Sequence, residues 1–138
     1  MQKQMGSADM ELVGGCLCGA VRYRSTGEPY RQFVCHCRDC QRSGGSAFHI
    51  GIAVPRASFV ITRGELRAFS SKGDSGRTVT RKFCPGCGSG LINEPEVWPD
   101  HVVIKVGSLD DPTLAAPALE LFARSRLHWV SIAGRKQP

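Results

Sequence analysis

Residues 83–88 read Phe83-Cys84-Pro85-Gly86-Cys87-Gly88, and the run before them, Arg77 to Phe83, has the residue types of a β-strand. The strand delivers one thiol to its end. The Pro-Gly turn brings a second thiol back beside the first, and Gly88 permits the left-handed backbone that aims amide N–H groups at sulfur. This is a metal-binding knuckle of the zinc-ribbon kind, and it supplies half of a tetrahedral shell. Cys16-Leu17-Cys18-Gly19 can supply the other half, because it too is followed by glycine and then by a strand candidate, Ala20 to Arg24. Four thiolates close the shell and leave no open position, which is the structural type of zinc site. Such a site would pin an N-terminal strand to a hairpin some 66 residues later, closing a long loop.

The remaining cysteines form a third cluster, Cys35-His36-Cys37-Arg38-Asp39-Cys40. Three thiolates within six residues leave one corner of a tetrahedron open, the arrangement of a catalytic zinc. A zinc of that kind polarises a carbonyl or favours an arriving thiol as thiolate, so it suits making or breaking a carbon–sulfur bond. Candidates to close the shell are His36, His49, His101 and His128; each also has an ordinary reading as a core or surface histidine. The small polar run Gln41-Arg42-Ser43-Gly44-Gly45-Ser46 follows the cluster. It is either a plain loop or a place where a substrate approaches backbone N–H groups closely. By proximity alone, Arg38, Arg42, Ser43 and Ser46 are candidate substrate contacts.

All seven cysteines of the 138-residue chain fall in these three groups. Core thiols would be scattered, and a disulfide framework favours an even count in an oxidising compartment. The N-terminal stretch, Met1 to Glu11, has no apolar core of a secretory signal, so a reducing cytoplasm is the expected compartment. No apolar run approaches the ~18 residues of a membrane span. The net charge is +6, with 18 Lys and Arg against 12 Asp and Glu. Seven thiolates and two divalent ions would bring it to about +3. The basic residues are spread from Lys3 to Lys136 with no run of five or more, which argues against nucleic acid and leaves a mild field favouring small anionic substrates.

The length fits one domain. Hydrophobic residues make up 41% of the chain, with only 7% aromatic, and 16 Gly and 8 Pro predict many turns and short elements. The expected strands are 20–24, 46–54, 59–62, 66–70, 77–83, 102–106 and 119–123. In the second of these, Phe48, Ile50, Ile52 and Val54 share one face and Ala47, His49, Gly51 and Ala53 the other. Helix is scarce: one short turn is expected over 38–43 and another within 110–116, with Pro112 at its start. Gly73 to Gly76 reads as a loop. The reading is a mainly β domain over 12–132, with tails at 1–11 and 133–138.

Taken together, the sequence resembles the glutathione-dependent formaldehyde-activating family, which also includes centromere-protein-V-type proteins. The resemblance rests on Gly15-Cys16-Leu17-Cys18-Gly19-Ala20-Val21-Arg22-Tyr23, Cys35-His36-Cys37-Arg38-Asp39-Cys40, Phe83-Cys84-Pro85-Gly86-Cys87-Gly88 and Gly107-Ser108-Leu109-Asp110-Asp111-Pro112, with Leu127-His128-Trp129 near the end. It implies an Mss4-like fold of several small coiled antiparallel sheets stapled by zinc. It implies two zincs, a structural one on Cys16, Cys18, Cys84 and Cys87 and a catalytic one on Cys35, Cys37 and Cys40. It also implies an activity, formally that of a carbon–sulfur lyase, joining glutathione to formaldehyde. A related thiol or another small aldehyde would use the same chemistry. The alternatives are a non-catalytic zinc module that binds protein or nucleic acid, a redox protein akin to the methionine sulfoxide reductases, and an iron–sulfur protein. A fourth protein ligand on the second cluster would favour the first of these, and a cysteine left outside the metal sites the second.

Overall fold

A computed structural model describes residues 11–133. The expected tails therefore lie outside the described residues, except for Glu11 and Ala133. The described residues form ten strands and one α-helix, besides four single 3-10 turns: β1 Leu12–Gly15, β2 Arg22–Ser25, β3 Arg31–Cys35, α1 Arg38–Gly44, β4 His49–Pro55, β5 Phe59–Arg63, β6 Arg67–Lys72, β7 Thr78–Phe83, β8 Gly90–Pro95, β9 His101–Lys105 and β10 Leu119–Leu121. The fold is mainly β, as expected. Three strands form one sheet in the order β1-β2-β5, and seven form the other in the order β10-β3-β4-β9-β8-β7-β6. All pairs are antiparallel except β10 with β3, which run parallel. No described helix is long and apolar enough to cross a membrane.

The strand expected over 46–54 starts three residues later, at His49. Phe48 precedes it and its ring packs against His36, 5.8 Å between centroids. From Ile50 onward the two faces separate as the alternation predicts. Ile52 and Val54 join Leu12, Val21, Tyr23, Leu91, Val102 and Ile104 in the larger core, with Ile50 packed against it. Ala53 faces the other way, into a smaller cluster with Phe33, Cys35, Cys40 and Val103. Thus β4 is central and covered on both sides, and its second face carries the candidate site.

Gly51 lies on that second face, opposite Phe33 in β3. A Cβ there would come within 2.6 Å of the Val103 side chain and 2.8 Å of the Phe33 ring. Its bare backbone lets Phe33 lie flat enough to meet His49 edge-on, with centroids 5.7 Å apart. Gly51→Ala is expected to destabilise the protein by about 1–3 kcal/mol through overpacking. Chemical denaturation checks this, and an unchanged midpoint would contradict the packing account.

Three strands escaped the sequence pattern. In β3 the last three residues, Phe33, Val34 and Cys35, are buried in succession, and in β8 so are Leu91, Ile92 and Asn93. Central strands covered on both faces lose the alternation on which strand recognition depends. In β1 the Gly14-Gly15 pair has low intrinsic strand preference. Pairing with β2 and the burial of Leu12 outweigh it.

Candidate functional site

Cys16 and Cys18 sit in the turn between β1 and β2, and Cys84 and Cys87 in the turn between β7 and β8. The four Sγ atoms lie within 4.8 Å of one another. Cys16 to Cys18 is 3.6 Å and Cys18 to Cys84 is 3.8 Å. A tetrahedron with Zn–S bonds of ~2.3 Å has edges of about 3.8 Å, so the donor set fits a zinc-sized thiolate site. Backbone N–H groups already point at sulfur: Val21 N donates to Cys16 Sγ at 3.2 Å and Gly86 N to Cys84 Sγ at 3.3 Å. Gly88 has φ +79°, the left-handed conformation anticipated for it. Its N–H donates to the Cys84 carbonyl at 2.8 Å and closes the knuckle. Ser89 ties the two turns together, accepting from Leu17 N at 3.0 Å while its hydroxyl lies 3.2 Å from Cys87 Sγ.

The second cluster is built by the end of β3 and the start of α1. Cys35 closes the strand, and Cys37 is the N-cap of α1, its sulfur accepting from Cys40 N at 3.3 Å. One helical turn carries Cys40 back to within 3.5 Å of Cys35. The three sulfurs lie within 4.8 Å of one another, and no fourth described His, Cys, Asp or Glu joins them. In the thiol state, hydrogen bonds from Cys35 and Cys40 hold Cys37 well below the usual thiol range. The contacts with Cys37 and Cys40, together with burial, push Cys35 up. A cation that replaces those protons lets all three be thiolates at once, so this donor set also suits a thiophilic divalent ion.

The four histidines go elsewhere. His36 is fully buried and turns its ring away onto Glu120 of β10, Nε2 to Oε1 2.8 Å. It thereby anchors β10 beside the cysteine loop rather than joining the shell. His101 stacks on Tyr30 at 4.4 Å, and His128 is exposed. His49 is buried at the edge of the site. Burial, with Lys105 and Arg81 nearby, pushes it down to about 3, so it is neutral at physiological pH.

A cavity of about 400 Å³ opens directly over Cys37 and Cys40. Its walls come from the second face of the large sheet and from the hairpin loop between β6 and β7. Arg38 borders it, as its position in the sequence suggested. Arg42, Ser43 and Ser46 do not, and the two serines line a separate groove beside Lys105. The residues that sequence reasoning missed are Arg81, Asn93, Trp98 and Phe122. Arg81 in β7 pairs with Asn93 in β8, which pairs with Val103 in β9, so strand order alone brings these side chains to the cysteines. Arg81 Nε, Asn93 Oδ1 and His49 Nε2 are buried without a hydrogen-bond partner, and all three residues line the cavity. Unpaired buried polar atoms are rare and mark a place for a ligand or water. The charge on Arg81 also favours thiolate at Cys37 and Cys40.

The class so defined is a mainly β domain with one four-thiol and one three-thiol cluster that could each hold a metal ion, the latter beneath a cavity. The model of the glutathione-dependent formaldehyde-activating enzyme family matches residues 11–125, and the chain belongs to this family. The chain is 29% identical over 133 residues to a Halomonas elongata protein that provisionally bears the name glutathione-dependent formaldehyde-activating enzyme. That alignment covers 93% of this chain and 85% of the relative. Among solved structures, a Rhodobacter sphaeroides protein shares the fold with a TM-score of 0.61 at 21% identity. The match covers 78% of this chain and 98% of that one.

Proposed function

We propose that the protein is a zinc-dependent carbon–sulfur lyase that forms or cleaves the adduct of glutathione, or a related thiol, with formaldehyde or another small aldehyde. The observation that carries this reading is the placement of a three-thiol cluster at the floor of an open cavity with no fourth protein ligand among the described residues. Cys16, Cys18, Cys84 and Cys87 would hold a structural zinc, and Cys35, Cys37 and Cys40 a catalytic one. Bound there, the ion would polarise a carbonyl oxygen or lower the pKa of an arriving thiol.

The chain's own residues do the rest. In the forward direction the sulfur–carbon bond forms, the carbonyl π bond gives its electrons to oxygen, and the thiol proton ends on that oxygen. Arg81 sits where its charge favours a thiolate beside the cluster. Arg38 and Arg77 border the same cavity and suit the carboxylates of glutathione. Neutral His49 and Asn93 offer buried hydrogen-bonding atoms in the cavity lining. A reducing compartment such as the cytoplasm would keep all seven cysteines available to metal.

The test is the rate of S-hydroxymethylglutathione formation, followed by exchange NMR against the spontaneous reaction. The zinc-loaded protein is expected to accelerate it, and a rate equal to the protein-free control would defeat the proposal. Elemental analysis is expected to return about two zincs per chain. A single zinc would remove the catalytic centre.

A further inference from the structure

We infer that the natural adduct carries a bulky apolar group, so that the aldehyde partner of this site is larger than formaldehyde: a branched, long-chain or aromatic aldehyde. The inference rests on the thiol-adduct reading above and specifies its substrate.

The cavity over Cys37 and Cys40 has a chemically mixed lining. Arg38, Arg77 and Arg81 line it together with Asp39, Asp74 and Glu96, and so do the buried Asn93 and His49. Phe33, Val97, Trp98, Val103, Leu121 and Phe122 line it as well. Glutathione is a charged tripeptide, and its carboxylates, ammonium and amides match the charged and polar part of the lining. Formaldehyde brings no apolar surface at all. Neither component accounts for two phenyl rings, an indole and three aliphatic side chains in the lining of the cavity that holds the cysteine trio. A substituent on the aldehyde carbon does, because that carbon is bonded to the sulfur and its substituent must lie next to the cluster.

The apolar part of the lining is also shaped for contact. Phe33 and Trp98 meet edge to face with centroids 5.6 Å apart, and Tyr30 backs Trp98 at 6.1 Å. Phe122 is 48% exposed although it lines the cavity. It also has φ 54° and ψ 43°, the left-handed conformation. Among the described residues it is the one non-glycine position with positive φ. Strained backbone of this kind persists where the surroundings over-determine it and concentrates at ligand sites. An aromatic ring held in solvent by a strained backbone, directly after the strand that flanks Cys35, is placed to close over an apolar guest.

The experiment compares S-hexylglutathione with S-methylglutathione by calorimetry on the zinc-loaded protein, and hexanal and benzaldehyde with formaldehyde as turnover substrates. S-hexylglutathione is expected to bind at least about 10-fold tighter, the effect of burying roughly two methylenes. Phe122→Ala and Val97→Asp, both at exposed positions that tolerate substitution, are expected to narrow that ratio. The larger aldehydes are expected to exceed formaldehyde in kcat/KM. Equal affinities for the two analogues, with formaldehyde turned over normally, would overturn this inference and leave the lyase reading standing. A hexyl preference that both variants leave unchanged would likewise overturn it. If neither analogue binds and no aldehyde is turned over, the thiol-adduct reading fails and the inference falls with it.

Discussion

Cys84→Ser is expected to leave the protein largely unfolded under conditions in which the parent chain is stable. Cys84 is 1% exposed and belongs both to the four-thiol cluster and to the larger core, beside Leu91 and Val21. A serine hydroxyl does not ionise at neutral pH and is a poor match for a thiophilic ion, so the shell drops to three ligands. The apparent free energy of structural zinc sites is about 10–16 kcal/mol at neutral pH. The net stability of a domain is only about 5–15 kcal/mol. Losing a third of the metal contribution, about 3–5 kcal/mol, takes a large share of that margin and most of it at the lower end. The topology makes the loss worse. This site is where the turn of the small sheet is fastened to the β7–β8 turn of the large one, across more than 60 residues of chain. Without it, the β1–β2 turn is attached there mainly through Ser89. Circular dichroism and thermal melting with zinc present check the expectation. A cooperative transition within a few degrees of the parent would show that this cluster is not a structural staple.

How far the sequence reaches is clear from these same residues. The cysteine clusters were legible because each is local: one- and two-residue gaps and adjacent glycines constrain thiols wherever the chain goes. Their grouping into four and three is not local: it followed from counting two thiols per pair toward a four-ligand shell and from the family resemblance, and the sulfurs of each group lie within 4.8 Å of one another. The edge strand β5 and the β6–β7 hairpin followed from residue type and turn signals. What could not be read was anything set by strand order. Arg81 lay within an expected strand, but its position beside Cys37 depends on β7, β8, β9 and β4 lying in that sequence across the sheet. Asn93 and Trp98 lay in stretches with no alternation and no motif. His36 shows the opposite limit. Its place between two cysteines left it a candidate ligand with an ordinary core reading beside it, and nothing local could name the carboxylate 84 residues away on β10 that claims its ring. The resemblance to a known family implied two zincs and a reaction, and it was silent on the cavity over Cys37 and Cys40.

Cys37→Ser is expected to give the opposite result to Cys84→Ser: a folded protein with almost no turnover. Serine is among the most favourable helix N-caps, and its oxygen can accept from the Cys40 N–H as the Cys37 sulfur now does. The start of α1 is thereby kept, along with the β3–β10 and β3–β4 pairing that surrounds it. Cys37 is only half-buried and faces the cavity, so the smaller side chain leaves no enclosed void. The metal site does not survive the change in the same way. Two thiolates and a neutral hydroxyl replace three thiolates. Altering even an outer-shell partner of a metal ligand typically costs 10–100-fold, so loss of a ligand should lower kcat/KM by at least about 100-fold. Zinc content should fall from about two per chain to about one, while the melting temperature stays within a few degrees. The pair of readouts separates the two roles assigned to the clusters. A folded variant that kept one zinc and full activity would mean that the trio under the cavity takes no part in the chemistry. A variant that unfolded would mean that this cluster, too, is mainly a staple, and that the catalytic centre must be sought among the other groups lining the cavity.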